Sequence, residues 1–345
     1  MLQLGRFPRV RLGHLPTALE PMTRLAARLG GPKLWIKRDD CTGLATGGNK
    51  TRKLEYLVAD ALKQGADTLI TLGALQSNHA RQTAAAAAKL GLKCILVLEE
   101  RVSQPTDAYR HNGNVLLDRL LGATLKYVPR DSSMTAAVDI MAEDVRKNGG
   151  RPYVIPGGGS NAIGALGYVG CALEILQQAA ERDIRIDRVV HATGSSGTQA
   201  GLVAGFAASQ SGVRVLGITV GRPRANQEAN VGKLLDATAD LLGLKSAIPR
   251  DSIEANDSYF GEAYGIPTPG MKEAVSLLAE TEAVLLDPVY SGKAMSGLID
   301  LVRKQTFAKD ENIVFIHTGG QAGLFAYEPA FAAQGGDPCP ARTRE

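Results

Sequence analysis

Aromatic residues and cysteines are scarce in this 345-residue sequence, and long apolar runs are absent. No stretch approaches the roughly 18 apolar residues of a membrane-spanning helix. Proline and arginine interrupt the first 25 residues, where a secretory signal would need an unbroken apolar segment. The sequence therefore predicts a cytoplasmic protein without a membrane partner.

The four cysteines, Cys41, Cys94, Cys171 and Cys339, lie far apart and form no C-x-x-C pair. This spacing indicates reduced thiols rather than a disulfide scaffold or a zinc site. Two adjacent aspartates at 39–40 follow a predicted strand, but no third ligand lies at a useful spacing, so no metal is predicted. Aromatic residues make up only 5% of the chain and no dense Lys/Arg tract is present, which argues against a nucleic-acid partner.

Glycine and apolar residues are what the sequence has in abundance. It contains 39 glycines without a G-X-Y period, and 44% of its residues are hydrophobic, which excludes collagen-like and disordered chains. The formal net charge is +4, but residues 1–53 alone hold 11 basic and 3 acidic residues. This asymmetry fits either a solvated basic face or a site that attracts an anion.

Short apolar runs alternate with Ala/Leu-rich stretches along the chain. The predicted strands are 68–73, 94–100, 151–157, 188–194, 214–220 and 312–320. The predicted helices between them include 80–90, 113–122, 161–181 and 198–210. Continuous apolar strands that alternate with helices predict an α/β fold whose parallel sheets are covered on both faces.

Two glycine-rich segments, at 47–50 and 156–167, lie on either side of the middle part of the chain. They indicate that a smaller α/β domain is inserted within a larger one. The predicted ranges are 1–50 and 161–335 for the large domain, 51–160 for the small domain and 336–345 for a loose tail.

One glycine-rich turn ends a predicted strand and begins a helix. Its residues are Gly194, Ser195, Ser196, Gly197 and Thr198. Backbone N–H groups at a helix N-terminus, with hydroxyls beside them, suit a phosphate group. The segment matches neither G-x-G-x-x-G nor G-x-x-x-x-G-K-[ST], so dinucleotide and ATP sites are disfavoured. A capped turn without a ligand fits the same residues.

A second loop places Lys50 after two glycines and before an apolar helix. An amine there, with its pKa lowered by desolvation or by a cation such as Arg52 or Lys53, can form a Schiff base with a carbonyl cofactor. A solvated surface lysine is the alternative. In a third loop, Ser77 and Asn78 precede an alanine-rich helix, where they form either a plain N-cap or a carboxylate site.

Five segments of the chain, taken together, resemble the fold type II pyridoxal-phosphate enzymes, where similar segments occur in the same order. They are GGNKTRKLE, QSNHARQTAA, the 194–198 turn, DPVYSGKAM and HTGG. The resemblance runs from about residue 5 to 330 and is strongest to the branch that holds 1-aminocyclopropane-1-carboxylate (ACC) deaminase, D-cysteine desulfhydrase and L-cysteate sulfo-lyase. It implies two open, mostly parallel twisted sheets flanked by helices, pyridoxal phosphate as cofactor and a homodimer.

The resemblance also implies roles for individual residues. Lys50 matches the lysine that binds the cofactor and moves the Cα proton, and Asn78 matches the residue that hydrogen-bonds the 3′-oxygen of the ring. The phosphate is expected at the turn formed by Gly194, Ser195, Ser196, Gly197 and Thr198. Ser77, with the backbone of Asn78 and His79, matches the cradle for the substrate carboxylate. Tyr290 and Tyr264 match two active-site tyrosines.

One departure from ACC deaminase concerns the residue that faces the pyridine nitrogen. That enzyme has Tyr-Glu-Gly-Lys where this chain has Tyr-Ser-Gly-Lys at 290–293, so a hydroxyl, from Thr318 or Ser291, is expected to replace the acid. Without a carboxylate partner the ring is a weaker electron sink, which suits β-elimination of a good leaving group better than ring opening.

The choice of substrate depends on the loop before Lys50. Its sequence RDDCTGLATGGNKTRKLE resembles the cysteate enzyme more than the desulfhydrases, and hydroxyls of Thr42, Thr46 and Ser77 would suit the three oxygens of a sulfonate. The sequence predicts a lyase that converts L-cysteate to pyruvate, sulfite and ammonia. Sulfide elimination from D-cysteine is the alternative, and ACC deamination and non-catalytic cofactor binding are more remote ones.

Overall fold

The computed structural model describes residues 3–102, 105–244, 246 and 248–331. The predicted tail at 336–345 lies outside these residues. The described residues form two sheets of strands β1 Leu19–Pro21, β2 Lys33–Lys37, β3 Thr68–Ala74, β4 Lys93–Glu99, β5 Thr124–Val128, β6 Pro152–Ile155, β7 Arg188–Thr193, β8 Arg214–Thr219, β9 Ile253–Asn256 and β10 Asn312–Ile316.

The large sheet has the strand order β1-β2-β10-β7-β8-β9, and the small sheet has the order β5-β4-β3-β6. Every pair is parallel except β1 with β2. The predicted α/β fold with two mostly parallel sheets is therefore confirmed.

Helices cover both sheets. They are α1 Thr23–Leu29, α2 Lys50–Lys63, α3 Asn78–Leu90, α4 Asp107–His111, α5 Asn114–Leu120, α6 Met134–Lys147, α7 Ala162–Ala180, α8 Gly197–Ala208, α9 Arg224–Leu242, α10 Pro269–Glu282, α11 Ser291–Arg303 and α12 Gln321–Phe325. Among the helices of the described ranges, none is both long and apolar enough to cross a membrane.

Both faces of the large sheet are buried under helices. Val189 and Val215 pack under α7, α8 and α9, whereas Val190 and Leu216 pack against α10 and α11. The two faces are apolar because side chains of successive residues in a strand point to opposite sides. This explains why these strands appear in the sequence as continuous apolar runs.

The chain leaves the large sheet after β2 and returns to it at β7. All four strands of the small sheet lie between these points, within the range predicted for the small domain. Helix α2 links the two parts, because Leu57 packs in the core under the small sheet while the backbone at Arg52 meets α7. A Cβ on Gly167 of α7 would lie 2.3 Å from the carbonyl oxygen of Arg52, so this helix contact requires glycine.

Candidate active site

The carboxyl ends of β3, β7 and β8 line a cavity of about 390 Å³. Ligands of open α/β sheets bind at this edge, and the volume is that of a small-molecule site. Within the described residues, no group of three His, Cys, Asp or Glu side chains is placed to hold a metal ion.

Lys50 begins α2 and lines the cavity. Its Nζ donates a hydrogen bond to Oδ1 of Asn49 at 3.2 Å. Burial lowers the pKa of Lys50 to about 8, and the negative charge of Asp287 opposes this shift. Arg52, by contrast, points into a separate ion-pair network with Asp39 and is not among the causes of the shift.

The lowered pKa of Lys50 predicts a pH dependence for cofactor uptake. Only the neutral amine attacks a carbonyl, and at pH 8 about half of Lys50 is neutral, against about 0.3% for a lysine with a pKa of 10.5. We expect the rate at which cofactor-free protein binds pyridoxal phosphate to rise with pH and to level off above about pH 8. Stopped-flow absorbance would measure it. A rate that keeps rising to pH 10 would show that the amine is not desolvated.

The turn before Lys50 is tightly constrained. Gly47 and Gly48 have φ of 74° and 129°, and a Cβ on Gly47 would lie 2.1 Å from the carbonyl oxygen of Asp40. Arg81, fully buried on α3, donates from Nη1 to the carbonyl oxygens of Ala45 at 2.6 Å and Gly47 at 2.8 Å. The side chain of Arg81 on α3 thus fixes the turn that precedes Lys50.

Thr42 and Thr46 do not line the cavity, contrary to their predicted role at the substrate. Thr42 is fully buried, and its Oγ1 donates to the carbonyl oxygen of Gly48 at 3.0 Å and accepts from the backbone N–H of Gly48 at 2.7 Å. Thr46 is exposed, with φ of 70°. Thr42 therefore stabilises the turn. Of the three hydroxyls predicted to bind a sulfonate, only that of Ser77 belongs to a residue that lines the cavity.

The predicted phosphate turn reaches the cavity through Gly194, Ser195, Ser196 and Thr198, while Gly197 lies behind them as the first residue of α8. Ser196 adopts φ of 72°, which aims the start of α8 at the cavity. Thr198 Oγ1 accepts a hydrogen bond from the Asn49 side chain at 3.2 Å. The turn and the Lys50 loop are therefore directly connected.

Lys53 places a second amine behind this turn. Its Nζ donates to the carbonyl oxygen of Gly158 at 3.1 Å and to Oγ of Ser160 at 3.2 Å. Ser160 in turn lies 2.9 Å from Oγ of Ser195. Burial, and then the charge of Lys50, lower the pKa of Lys53. A phosphate dianion at the turn would offset that loss of charge, so the donor set fits a phosphate group.

Ser77, Asn78 and His79 all line the cavity, as predicted. Ser77 caps α3, because its Oγ accepts from the backbone N–H of Ala80 at 3.1 Å. A Cβ on Gly73 would lie 2.5 Å from that Oγ, so the strand needs glycine there. Asn78 is oriented by its Oδ1, which accepts from the side chain of Asn114 at 3.0 Å.

His79 is a neutral imidazole, and one of its ring nitrogens is a buried acceptor without a hydrogen-bond donor among the described residues. Thr71 donates its hydroxyl proton to the carbonyl oxygen of Ile155, so it accepts from Nε2 of His79 at 2.8 Å. Burial, and then the charges of Lys50 and Lys53, lower the pKa of His79 well below 6.5. Its Nδ1 has no partner among the described residues.

Tyr264 and Tyr290 form a pair in the cavity, with hydroxyl oxygens 2.6 Å apart and ring planes at 72°. Burial raises the pKa of both hydroxyls, so both are protonated. The carboxylate of Asp287 orients this loop by accepting from the backbone N–H groups of Val289, Tyr290 and Ser291 at 2.9, 2.9 and 2.8 Å.

Of the two hydroxyls expected at the pyridine nitrogen, only that of Thr318 lines the cavity. The Ser291 hydroxyl donates to Asp287 at 2.6 Å and is fully buried. The structure therefore favours Thr318 for this position.

Arg101 and Arg222 also line the cavity, although neither was predicted as a site residue from the sequence. Arg222 donates from Nη1 to the carbonyl oxygen of Gly194 at 2.8 Å. Each arginine follows the carboxyl end of a parallel strand, β4 or β8, and that position is the signal that could have revealed them. Asn49, Lys53, Arg81 and Asp287 were likewise not predicted as site residues.

The chemistry of the donor set fits pyridoxal phosphate. The buried Lys50 amine can bind its aldehyde, and the turn at 194–198 with Lys53 behind it can hold its phosphate. The Asn78 amide and the Thr318 hydroxyl can serve its ring substituents.

Comparison with known proteins agrees with this fit. A family model described as "Pyridoxal-phosphate dependent enzyme" matches residues 10–319. A D-cysteine desulfhydrase of Salmonella choleraesuis (strain SC-B67) is 50% identical over 326 residues, 94% of this chain and 98% of the relative. One of Salmonella typhi is 49% identical over the same shares. A crystal structure described as "the ACC deaminase homologue" has a TM-score of 0.86 at 40% identity, and covers 96% of this chain and 97% of its own. The chain therefore belongs to the family of pyridoxal-phosphate dependent enzymes, and pyridoxal phosphate is its cofactor.

Proposed function

We propose that this enzyme is a carbon–sulfur lyase that eliminates the β-sulfur substituent of a cysteine-type amino acid and yields pyruvate and ammonia. The observation that carries the proposal is the buried Lys50 amine, with its pKa of about 8, between a phosphate-binding turn and the N-terminus of α3. When bound, pyridoxal phosphate supplies the electron sink for removal of the Cα proton.

The N-terminus of α3 supplies a site for the substrate carboxylate. The first backbone N–H groups of a helix lack intrahelical partners, and here they belong to Asn78 and His79, beside the Ser77 hydroxyl. The partial positive charge of the helix end adds to this attraction. A carboxylate held here would orient Cα toward the cavity that Lys50 lines.

Lys50 is suited to move the Cα proton. A lysine acts as a general base only when an appreciable fraction of it is neutral at the working pH, and burial brings the pKa of Lys50 to about 8. The Tyr264 and Tyr290 hydroxyls are protonated and 2.6 Å apart, so one of them can donate to a departing anion.

The polar groups near Thr318 favour elimination over ring opening. The buried carboxylate of Asp287 accepts hydrogen bonds from three backbone N–H groups and from the Ser291 hydroxyl. Its oxygens are therefore engaged by the 289–291 loop. Thr318 then offers a neutral hydroxyl to the ring nitrogen. A weaker electron sink requires a good leaving group on Cβ, which a sulfur substituent provides.

Two substrates fit this chemistry. D-cysteine is supported by the relatives named D-cysteine desulfhydrase, which are about half identical over nearly their whole length. L-cysteate loses the support of Thr42 and Thr46, which lie outside the cavity. The specific observation that favours it is the cavity-lining Arg101, because the second arginine of the cavity, Arg222, donates to the carbonyl oxygen of Gly194.

One preparation should be assayed for pyruvate, with sulfide from D-cysteine and sulfite from L-cysteate as the second product. L-cysteine tests the stereochemistry, and ACC tests ring opening. We expect pyruvate together with one sulfur product. Ammonia from ACC alone would contradict the proposal. So would a colourless protein that borohydride leaves unmodified, because that result indicates a chain without the bound cofactor.

A further inference from the structure

Arg101 is a charged side chain in the cavity wall that the cofactor chemistry does not use. It follows β4, and its guanidinium carbon lies 5.8 Å from the centre of the Tyr264 ring. The side chain lines the cavity together with the tyrosine pair and is 40% exposed. Burial raises the pKa of Tyr290, and the hydrogen bond from Tyr264 and the positive charges of Arg101 and Arg222 oppose that rise.

One ion pair orients Arg101 and leaves most of its donors available. Its Nε donates to Oε2 of Glu99 at 2.6 Å. Within the described residues, neither Nη1 nor Nη2 has a hydrogen-bond partner. A guanidinium fixed at Nε presents its two terminal nitrogens as a planar fork, which matches an oxyanion with two or more acceptor oxygens.

The carboxylate of an amino-acid substrate already has a site at the N-terminus of α3. A second anionic group on the same substrate would therefore be available for the Arg101 fork and the adjacent tyrosine hydroxyls. A sulfonate offers three acceptor oxygens and a negative charge, whereas a thiol is a weak donor without charge.

We propose that Arg101, with Tyr264 and Tyr290, forms a subsite for an anionic β-substituent, so that the enzyme prefers a β-sulfonate to a β-thiol. This inference rests on the proposed function and specifies its substrate class. In the elimination, the Cα–H and Cβ–S bonds break, the proton goes to Lys50 and sulfite leaves with the electron pair of the Cβ–S bond. One water then converts the remaining enamine to pyruvate and ammonia.

Binding of the inhibitors 3-sulfopropanoate and 3-mercaptopropanoate to the holoenzyme, measured by titration calorimetry, tests the subsite directly and requires no turnover. These molecules are cysteate and cysteine without the amino group, so neither can be turned over. With the wild-type holoenzyme we expect 3-sulfopropanoate to bind at least about tenfold more tightly. Arg101→Gln should remove this preference, and Arg101→Lys should restore part of it.

Arg222→Gln is the matched control, because it removes a second cavity-lining arginine that is bound to the Gly194 carbonyl. If Arg101 forms a specific subsite, Arg222→Gln keeps the preference for the sulfonate. Equal losses in the two variants would show only general attraction by positive charge and would overturn the proposal. Equal binding of the two inhibitors to the wild-type enzyme would overturn it as well.

The turnover assay separates this inference from the function on which it rests. Elimination from cysteine-type substrates with an unchanged inhibitor preference in Arg101→Gln would refute the subsite and leave the lyase intact. An Arg101-dependent preference without sulfur elimination from any substrate would do the reverse. The absorbance of the bound cofactor and the far-ultraviolet circular dichroism of each variant confirm that it is folded and loaded.

Discussion

Lys50→Ala is expected to abolish turnover and to remove the absorption band of the lysine-bound cofactor. In the proposed function the same amine binds the cofactor covalently and moves the substrate proton, so alanine would eliminate both functions at once. We expect pyruvate release to fall by at least about 10³-fold. A coupled pyruvate assay and the absorption spectrum of the purified variant would measure the two losses.

Lys63→Ala is the control, since it removes an exposed lysine from the last turn of the same helix. It should leave the spectrum and the rate unchanged. If Lys50→Ala released pyruvate at the rate of the control, Lys50 would not be the catalytic amine. Lys53 would then be the residue to examine, because its buried amine lies behind the phosphate turn.

Strands that are buried on both faces, such as β7 and β8, were predicted from the sequence, whereas β5 and β9 were missed. β7 and β8 appear as uninterrupted apolar runs because helices cover both of their sides. β5, at the edge of the small sheet, leaves much of its surface exposed and has no such run. β9 has only four residues, Ile253–Asn256, and its pairing with β8 depends on tertiary contacts that local pattern does not encode.

The same contrast holds within the site. The turns carrying Lys50, Asn78 and the 194–198 segment could be predicted, because glycine and capping residues mark where a chain must turn at a strand end. The type of a side chain does not give its direction, however. Thr42 was expected at the substrate because it carries a hydroxyl, but its buried Oγ1 bonds to the backbone of Gly48.

Charged residues without a local motif were the hardest to predict. Arg101 lies beside a tyrosine that is close to it only in the folded chain, whereas Asp287 acts through backbone N–H groups two to four residues further along, which a pattern of side chains does not reveal. Asp287 is recognised as the brace of the Tyr290 loop by its three backbone donors. Arg101 is recognised by its position beside Tyr264, a residue 163 positions further along the chain.

Beneath the site, a buried ion-pair network fixes the start of α2. The Arg52 guanidinium donates to both carboxylate oxygens of Asp39 at 2.8 Å, and to Glu174 at 2.9 and 3.0 Å. Asp39 is completely buried. Although burial raises the pKa of Asp39, the charge and hydrogen bonds of Arg52 outweigh it and hold that pKa below 3.8. Asp39 is therefore a carboxylate whose principal counter-ion is Arg52.

Arg52→Met should lower the free energy of unfolding by about 3–5 kcal/mol, because it leaves the buried Asp39 carboxylate without that counter-ion. Urea denaturation of the holoenzyme would measure the loss. The matched control is Arg303→Met, which breaks an exposed pair with Glu273 and should cost less than about 1 kcal/mol. Equal stability of the two variants would mean that water or Lys37 stabilises the negative charge of Asp39 when Arg52 is absent. A large difference would show that this network stabilises the fold at the start of α2, the helix that carries Lys50.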